Sequence, residues 1–261
     1  MVDELLECWR AEEQVPFEGW DFSHLEGRWH EDSPPWSYLD LARATVGGAS
    51  SVLDMGTGGG EVLAELADVL PADVVATEGW APNVPVARRN LAQLGVSVVE
   101  YDAEGSQPQM PFPDGRFDVV LNRHEAYVAT EVARVLRPGG VLFTQQVDGH
   151  DFPEARELFG GEVQNPHVTL VHLSDDARRA GLSVERSADW SGQSTFDDVG
   201  ALVYYFTVVS WDVPDDFGVD AYADTLLALH EGGPARGRRI SFTMKRFSLL
   251  ARKPGDLSDA S

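Results

Sequence analysis

The run Ser51-Val52-Leu53-Asp54-Met55-Gly56-Thr57-Gly58-Gly59-Gly60-Glu61 constrains this chain more than any other segment. A short apolar stretch ends in an acidic residue and breaks into a glycine-rich turn. A helical pattern follows, with Val62, Leu63, Leu66, Val69 and Leu70 on one face. Strand, glycine turn and helix bring backbone N–H groups against a nucleotide-like ligand in α/β domains. Glycine is needed there because a Cβ obstructs both the turn and the approach of the ligand. The glycine spacing is not the dinucleotide pattern G-x-G-x-x-G, since Glu61 stands where the last glycine belongs. No Gly-Lys-Ser/Thr follows, which removes the P-loop.

The chain around this turn alternates regularly between apolar runs and helical patterns. Strands are expected at 51–54, 73–77, 96–101, 117–121 and 140–147, with helices at 61–70, 83–94 and 129–136. Ser33 is expected to open a helix reaching Val46, with proline in its first turn. Near-continuous apolar strands such as Phe117–Leu121 predict a buried parallel sheet, and right-handed crossovers make it doubly wound. Further on, Ser174 is expected to cap a short helix ended by Gly181, and 182–188 to form a strand. Residues 199–209 suit strand or helix; Asp197-Asp198 before them and their length favour the helix. A helix over 219–230 and a last strand over 239–251 complete the reading. This divides the chain into an aromatic arm (1–36), a core (37–150), a second part with a helical insertion (151–253) and a tail (254–261).

The pattern Asp-x-Gly-x-Gly-x-Gly, here Asp54, Gly56, Gly58 and Gly60, resembles the first motif of the class I S-adenosylmethionine-dependent methyltransferases. Other segments carry the resemblance in the right order. Glu78 ends the second strand and Asp102-Ala103 follows the third. Pro111-Phe112-Pro113-Asp114-Gly115-Arg116-Phe117-Asp118 leads into the fourth, and Arg137-Pro138-Gly139-Gly140 precedes the fifth. The match covers roughly residues 45–147 and is nearest to small-molecule, type 11-like members. It implies an α/β, doubly wound, Rossmann-like sheet: seven-stranded, mostly parallel, with an antiparallel last strand and a helical cap.

It also implies S-adenosylmethionine as cofactor, held by Asp54, Gly56, Thr57, Gly58, Gly60, Glu78, Gly79, Trp80, Asp102, Ala103 and Asn122. A carboxylate at Glu78 suits two ribose hydroxyls because it accepts two hydrogen bonds at once. Asp102 matches the position that contacts the adenine amino group, and Trp80 is placed to lie against that ring or to pack in the core. His124 and Glu125, just past the fourth strand, are the catalytic candidates: a histidine titrating near neutrality suits proton abstraction from the acceptor. Tyr127, Gln145, Trp29 and Trp36 are expected to bind the acceptor, a small apolar or aromatic molecule. The N-terminal aromatics, Trp20 among them, read either as a lid over the cleft or as an arm packed on the core.

Composition narrows the partners. Acidic residues number 43 against 20 basic ones, a net charge of −23, which disfavours nucleic acid as substrate. The short basic runs at Arg88-Arg89, Arg178-Arg179 and Arg236-Gly237-Arg238-Arg239 read as solvated helix faces and loop ends. No apolar run is long enough to span a membrane, no signal pattern is visible, and no Cys/His spacing suits a metal. The single cysteine, Cys8, points to a reducing cytoplasm. A nicotinamide-dependent oxidoreductase, a non-catalytic cofactor-binding module and a macromolecular methyltransferase remain as alternatives.

Overall fold

The computed structural model describes residues 2–17, 21–105 and 109–255. Trp20 of the expected arm and residues 256–261 of the expected tail lie outside the described residues. The chain divides into two compact units, Met1–Pro34, Gly149–Pro166 and Trp190–Lys245 in one, Pro35–Asp148, His167–Asp189 and Arg246–Ser261 in the other. The described residues contain strands β1 (Trp29–Glu31), β2 (Ser51–Met55), β3 (Asp73–Glu78), β4 (Ser97–Glu100), β5 (Phe117–Arg123), β6 (Leu136–Val147), β7 (Ser183–Phe196) and β8 (Ile240–Arg252). Their order is β1-β7-β8-β6-β5-β2-β3-β4. Strands β4, β3, β2, β5 and β6 run parallel, and β8 joins β6 antiparallel.

The expected α/β class and antiparallel last strand hold, and the sheet carries one strand more than seven. The extra strand is β1, whose three residues pair antiparallel with Ser194–Phe196 of β7. So short a segment leaves no alternation to read.

In the second unit, helices cover both faces of the parallel strands. On one face α5 (Ala129–Val135) and α7 (Leu170–Arg179) bury Val132, Val135 and Ala177 with Leu53, Val120 and Leu142. On the other, α2 (Tyr38–Val46), α3 (Glu61–Ala64) and α4 (Val84–Leu91) bury Ala42, Leu63 and Leu91 with Val52, Leu121 and Phe143. Sequence order reverses at β2, which has β3 on one side and β5 on the other. That reversal opens a crevice at the carboxyl ends of the strands, where the glycine turn sits.

Several boundaries move for local reasons. Helix α2 starts at Tyr38, not Ser33: Pro34-Pro35 disfavour helix before them, and the Ser37 hydroxyl accepts from the Asp40 N–H at 3.1 Å as the cap. Helix α3 stops at Ala64 because the following bonds tighten to Leu66 N–H to Leu63 C=O and Ala67 N–H to Ala64 C=O. Thr169, not Ser174, caps α7, and Ser174 is buried within it. The Arg137–Gly140 turn is absorbed into β6, where the register shifts between Phe117 and Val119.

The first unit is organised around helix α8 (Val199–Val208), apolar on nearly every side and capped by the Asp198 carboxylate, which accepts from the Ala201 N–H at 2.9 Å. Helices α1 (Val2–Glu13) and α9 (Ala223–Gly232) contribute Trp9 and Leu226 to its core, and α6 (Pro153–Phe159), not anticipated from sequence, contributes Phe159. Phe152, Phe196, Tyr205, Phe206 and Phe242 meet edge to face there, with centroids 5.2–6.1 Å apart. Each such pair adds about 0.5–1.5 kcal/mol beyond burial. The Arg28 guanidinium ties Glu12 at 2.7 Å to Asp198 at 2.7 and 2.9 Å. Among the described residues no helix is long and apolar enough to cross a membrane.

Candidate active site

The strand ends of the second unit hold the glycine turn by side chain and by backbone. Gly56 has φ +64°, and a Cβ on it would stand 2.4 Å from the Cβ and Cγ of Glu125. Only glycine satisfies both demands. Glu78 locks the turn to β3: one carboxylate oxygen accepts the Gly58 N–H at 2.7 Å and the other the Trp80 N–H at 2.8 Å. Burial pushes this carboxyl upward against those hydrogen bonds. Each oxygen retains a further acceptor position. The indole of Trp80 beside it is half exposed, at 52%, unusual for so large an apolar ring.

The loops after β3 and β4 close on each other through Gly79, where a Cβ would come within 3.2 Å of Asp102. Asp102 accepts from the Glu104 N–H at 2.8 Å, and Ala103 is buried. Asp54 is buried at the end of β2, and desolvation lifts its carboxyl to about 7 against the pull of Thr57 and Arg123. Thr57 Oγ1 lies near enough to exert that pull yet does not complete a hydrogen bond.

Strands β5 and β6 supply the other side. Asn122 is fully buried, and its Oδ1 accepts from Thr144 Oγ1 at 2.9 Å and Gln146 Nε2 at 2.6 Å. Its Nδ2 has no partner, and neither do the buried Thr57 Oγ1 and Tyr127 hydroxyl. A buried unsatisfied donor costs about 1–3 kcal/mol, so these atoms fit a polar ligand that completes them. Together with the glycine turn and the open acceptor positions of Glu78, they fit the polar groups of S-adenosylmethionine.

Past β5 the backbone turns sharply. His124 has φ +61°, one of two non-glycine residues with positive φ among those described, and its N–H donates to the Gln145 carbonyl at 2.9 Å. Such strain costs about 1–3 kcal/mol and collects at functional sites. Burial, then Arg123 and Arg246, push the imidazole well below its ordinary value, although the residue as a whole is exposed. The ring is therefore neutral at physiological pH instead of titrating there. Glu125 moves the opposite way, to about 7, through burial and the negative charges of Glu78, Asp102 and Glu104.

Trp36 and Gln145 are brought together: indole Nε1 donates to Gln145 Oε1 at 2.8 Å, and Gln145 Nε2 lies 3.3 Å from His124 Nε2. Trp29 instead serves the core of the first unit, stacked on Phe196 and donating Nε1–H to Ser194 Oγ at 2.8 Å. The sequence reading overlooked Thr144, which with Gln146 holds Asn122. Gln146 reads from sequence as an amide entering the cleft or tying neighbouring loops, and Arg123 as a partner for Glu125, whereas it lies over Tyr38 at 5.8 Å. Alternation along β6 was the available signal, because Thr144 and Gln146 share a face with the core residue Leu142 while Gln145 shares one with Phe143.

Residues 53–144 match the methyltransferase domain family. The fatty-acid O-methyltransferase of Mycolicibacterium smegmatis is 36% identical over 122 residues, 43% of each chain. The ubiquinone biosynthesis O-methyltransferase of Roseobacter denitrificans is 34% identical over 181 residues, 66% of this chain and 70% of that one. This chain thus spans less than half of the first relative and about two thirds of the second. A provisionally assigned methyltransferase from Bacillus halodurans shares the fold, with TM-score 0.57 and 22% identity over 83% of this chain and 97% of that one. The matched segment runs from the middle of β2 into β6, the stretch that builds the glycine turn, Glu78 and Asn122. On these grounds the chain belongs to the class I S-adenosylmethionine-dependent methyltransferases.

Proposed function

We propose that this protein transfers a methyl group from S-adenosylmethionine to an oxygen of a small, apolar or aromatic acceptor. The observation that carries the reading is the set of buried polar atoms without partners, Thr57 Oγ1 and Asn122 Nδ2, beside a glycine turn clamped by Glu78. Glu78 would accept the ribose hydroxyls, Asp102 the adenine amino group, and Thr57 with Asn122 would meet the polar end of the methionine part. Trp80 offers its exposed ring to the adenine. When bound, the cofactor supplies a methyl group made electrophilic by a positively charged sulfur.

The protein's own work is to bind and to orient. Asp54 and Glu125, both lifted to about 7, gain from a positive ligand that restores their ionised forms. Tyr127, Gln145 and Trp36 would bound the acceptor, with His124 and Glu125 against its reacting end. Holding the two reactants in line is worth about 7–11 kcal/mol in favourable cases, so positioning alone accounts for much of such a reaction. Oxygen as the acceptor atom follows the names of the O-methyltransferase relatives. The net charge of −23 supports a small molecule over nucleic acid, and one exposed cysteine suits a reducing cytoplasm.

Calorimetry with S-adenosylmethionine and with NAD is the first test. Binding of the former with proton release supports the reading, and binding of NAD alone overturns it. Mass spectrometry of metabolite pools incubated with enzyme and labelled cofactor then identifies the acceptor.

A further inference from the structure

Trp36 and Gln145 together decide where His124 carries its proton. An indole nitrogen can only donate, so Trp36 Nε1 at 2.8 Å commits the oxygen end of the Gln145 amide to itself. The nitrogen end is left toward His124, with Nε2 at 3.3 Å from the imidazole Nε2. An amide nitrogen only donates as well, so His124 Nε2 accepts and is bare. The neutral ring then carries its proton on Nδ1. That Nδ1–H has no partner among the described residues, in a residue that is exposed as a whole.

This arrangement is wrong for a general base and right for a donor. The lone pair a base needs is already engaged by Gln145. A second proton on Nε2 would set N–H against N–H, so the imidazolium product of proton abstraction is opposed as well. The preceding residue, Arg123, adds a positive charge; it rests on the Tyr38 ring at 5.8 Å, acts on Asp54 through its charge, and makes no ion-pair contact with a carboxylate among the described residues. An N–H donor with a guanidinium neighbour recognises an oxyanion and offers nothing to a neutral amine.

Resting on the methyl-transfer reading above, we infer that the acceptor presents an oxygen already ionised at neutral pH, a carboxylate or a phenolate, and that His124 orients it through Nδ1–H instead of deprotonating it. An oxygen that accepts one N–H keeps a lone pair for attack. That pair forms the new O–CH3 bond as the S–CH3 bond breaks, and the electrons of the broken bond stay on sulfur. One negative and one positive charge disappear together, and no proton has to be taken up by the protein.

Nitrogen-detected NMR, with His124 assigned against His124→Asn, reads the tautomer directly. The wild-type protein should show Nδ1–H. Gln145→Glu, whose carboxylate can only accept, should reverse it to Nε2–H, and Trp36→Phe, which frees the amide to turn over, should mix the two. Calorimetry on protein saturated with S-adenosylhomocysteine then compares octanoate and benzoate with para-nitrophenolate, each against a neutral isostere such as benzamide. A preference of about tenfold or more for ionised probes is expected, reduced in Arg123→Gln and lost in Gln145→Glu. Whether the carboxylates or the phenolate show it identifies the source of the oxyanion. An Nε2–H tautomer in the wild type, or ionised probes that bind no better than neutral ones, overturns the inference. Failure of S-adenosylhomocysteine itself to bind would instead sink the methyl-transfer reading, and the two failures are read in separate titrations.

Discussion

The ends of β2 and β3 and the ends of β5 and β6 lie along one sheet edge, yet they are opposite in electrical character. The first holds two buried carboxyls, Asp54 and Glu78, the second of them tied by backbone N–H groups. The second holds Arg123 and a neutral imidazole, tied by the Trp36 and Gln145 side chains. Acids on one side are pushed up and the imidazole on the other is pushed down. In each case burial comes first: it outweighs the hydrogen bonds that favour the Glu78 carboxylate and the pull of Thr57 and Arg123 on Asp54, and on His124 it is joined by the charges of Arg123 and Arg246. Arg123 reaches Asp54 through its charge, and Glu125 lies just past β5, yet the carboxyls of the first half remain raised, as suits a cationic methyl donor. The N–H and guanidinium groups of the second suit an anionic acceptor.

The largest effect should come from the half tied by backbone. Glu78→Ala removes the acceptor of two loop N–H groups and both sites for ribose hydroxyls. Hydrogen bonds to a charged group are worth about 1.5–3 kcal/mol each, so losing two should lower cofactor affinity by roughly 10²- to 10⁴-fold. Calorimetry checks this, with binding of acceptor probes as the internal control. Unchanged cofactor affinity would remove Glu78 from the ligand and leave it a loop clasp only.

Next in size is a dependence of stability on pH in the cofactor-free protein. Asp54 and Glu125 ionise at 3.8 and 4.5 in an unfolded chain and at about 7 when folded. Between those values the folded protein keeps protons that the unfolded chain has released, so rising pH lowers stability, and the loss is complete above about 7. At a buried site this amounts to about 3–4 kcal/mol for each group. Asp54→Asn should raise the Tm of ligand-free protein by several degrees at about pH 8 and change it little at about pH 4. An equal change at both pH values would mean that Asp54 is already ionised when folded.

How far the sequence disclosed this site follows the same division. The glycine turn, Glu78 and Asp102 are readable because their chemistry is written in contiguous residues: left-handed backbone at Gly56 requires glycine, and a strand end places Glu78. The Trp36–Gln145–His124 chain joins residues far apart in sequence, and only the packing of α2 on Phe143 and Arg123 brings them together. His124 was visible as a candidate, but its tautomer and depressed titration are tertiary properties. The aromatic arm was ambiguous for a related reason: Trp29 has the composition of a lid residue, and its partners Ser194 and Phe196 lie on a strand expected to stop at 188. Strand β7 alternates exposed and half-buried positions through that region, so apolar content gave no sign that it continued.

The smallest expected effect is the one that separates the two halves most cleanly. Trp36→Phe keeps a ring in place and deletes one N–H, the 2.8 Å bond to Gln145 Oε1. A neutral hydrogen bond contributes about 0.5–1.5 kcal/mol net, so the direct change is a few-fold in acceptor KM, with kcat lowered less. Cofactor affinity should not move, because Asp54, Glu78 and the glycine turn share no hydrogen bond with Trp36. If S-adenosylmethionine binding weakens in step with acceptor KM, the two halves of the edge form one coupled network and the contrast between them fails. If KM alone rises, and Tyr38→Leu, which removes the ring under Arg123, does the same without altering cofactor affinity, then α2 serves the acceptor side by holding Arg123 and Gln145 in place.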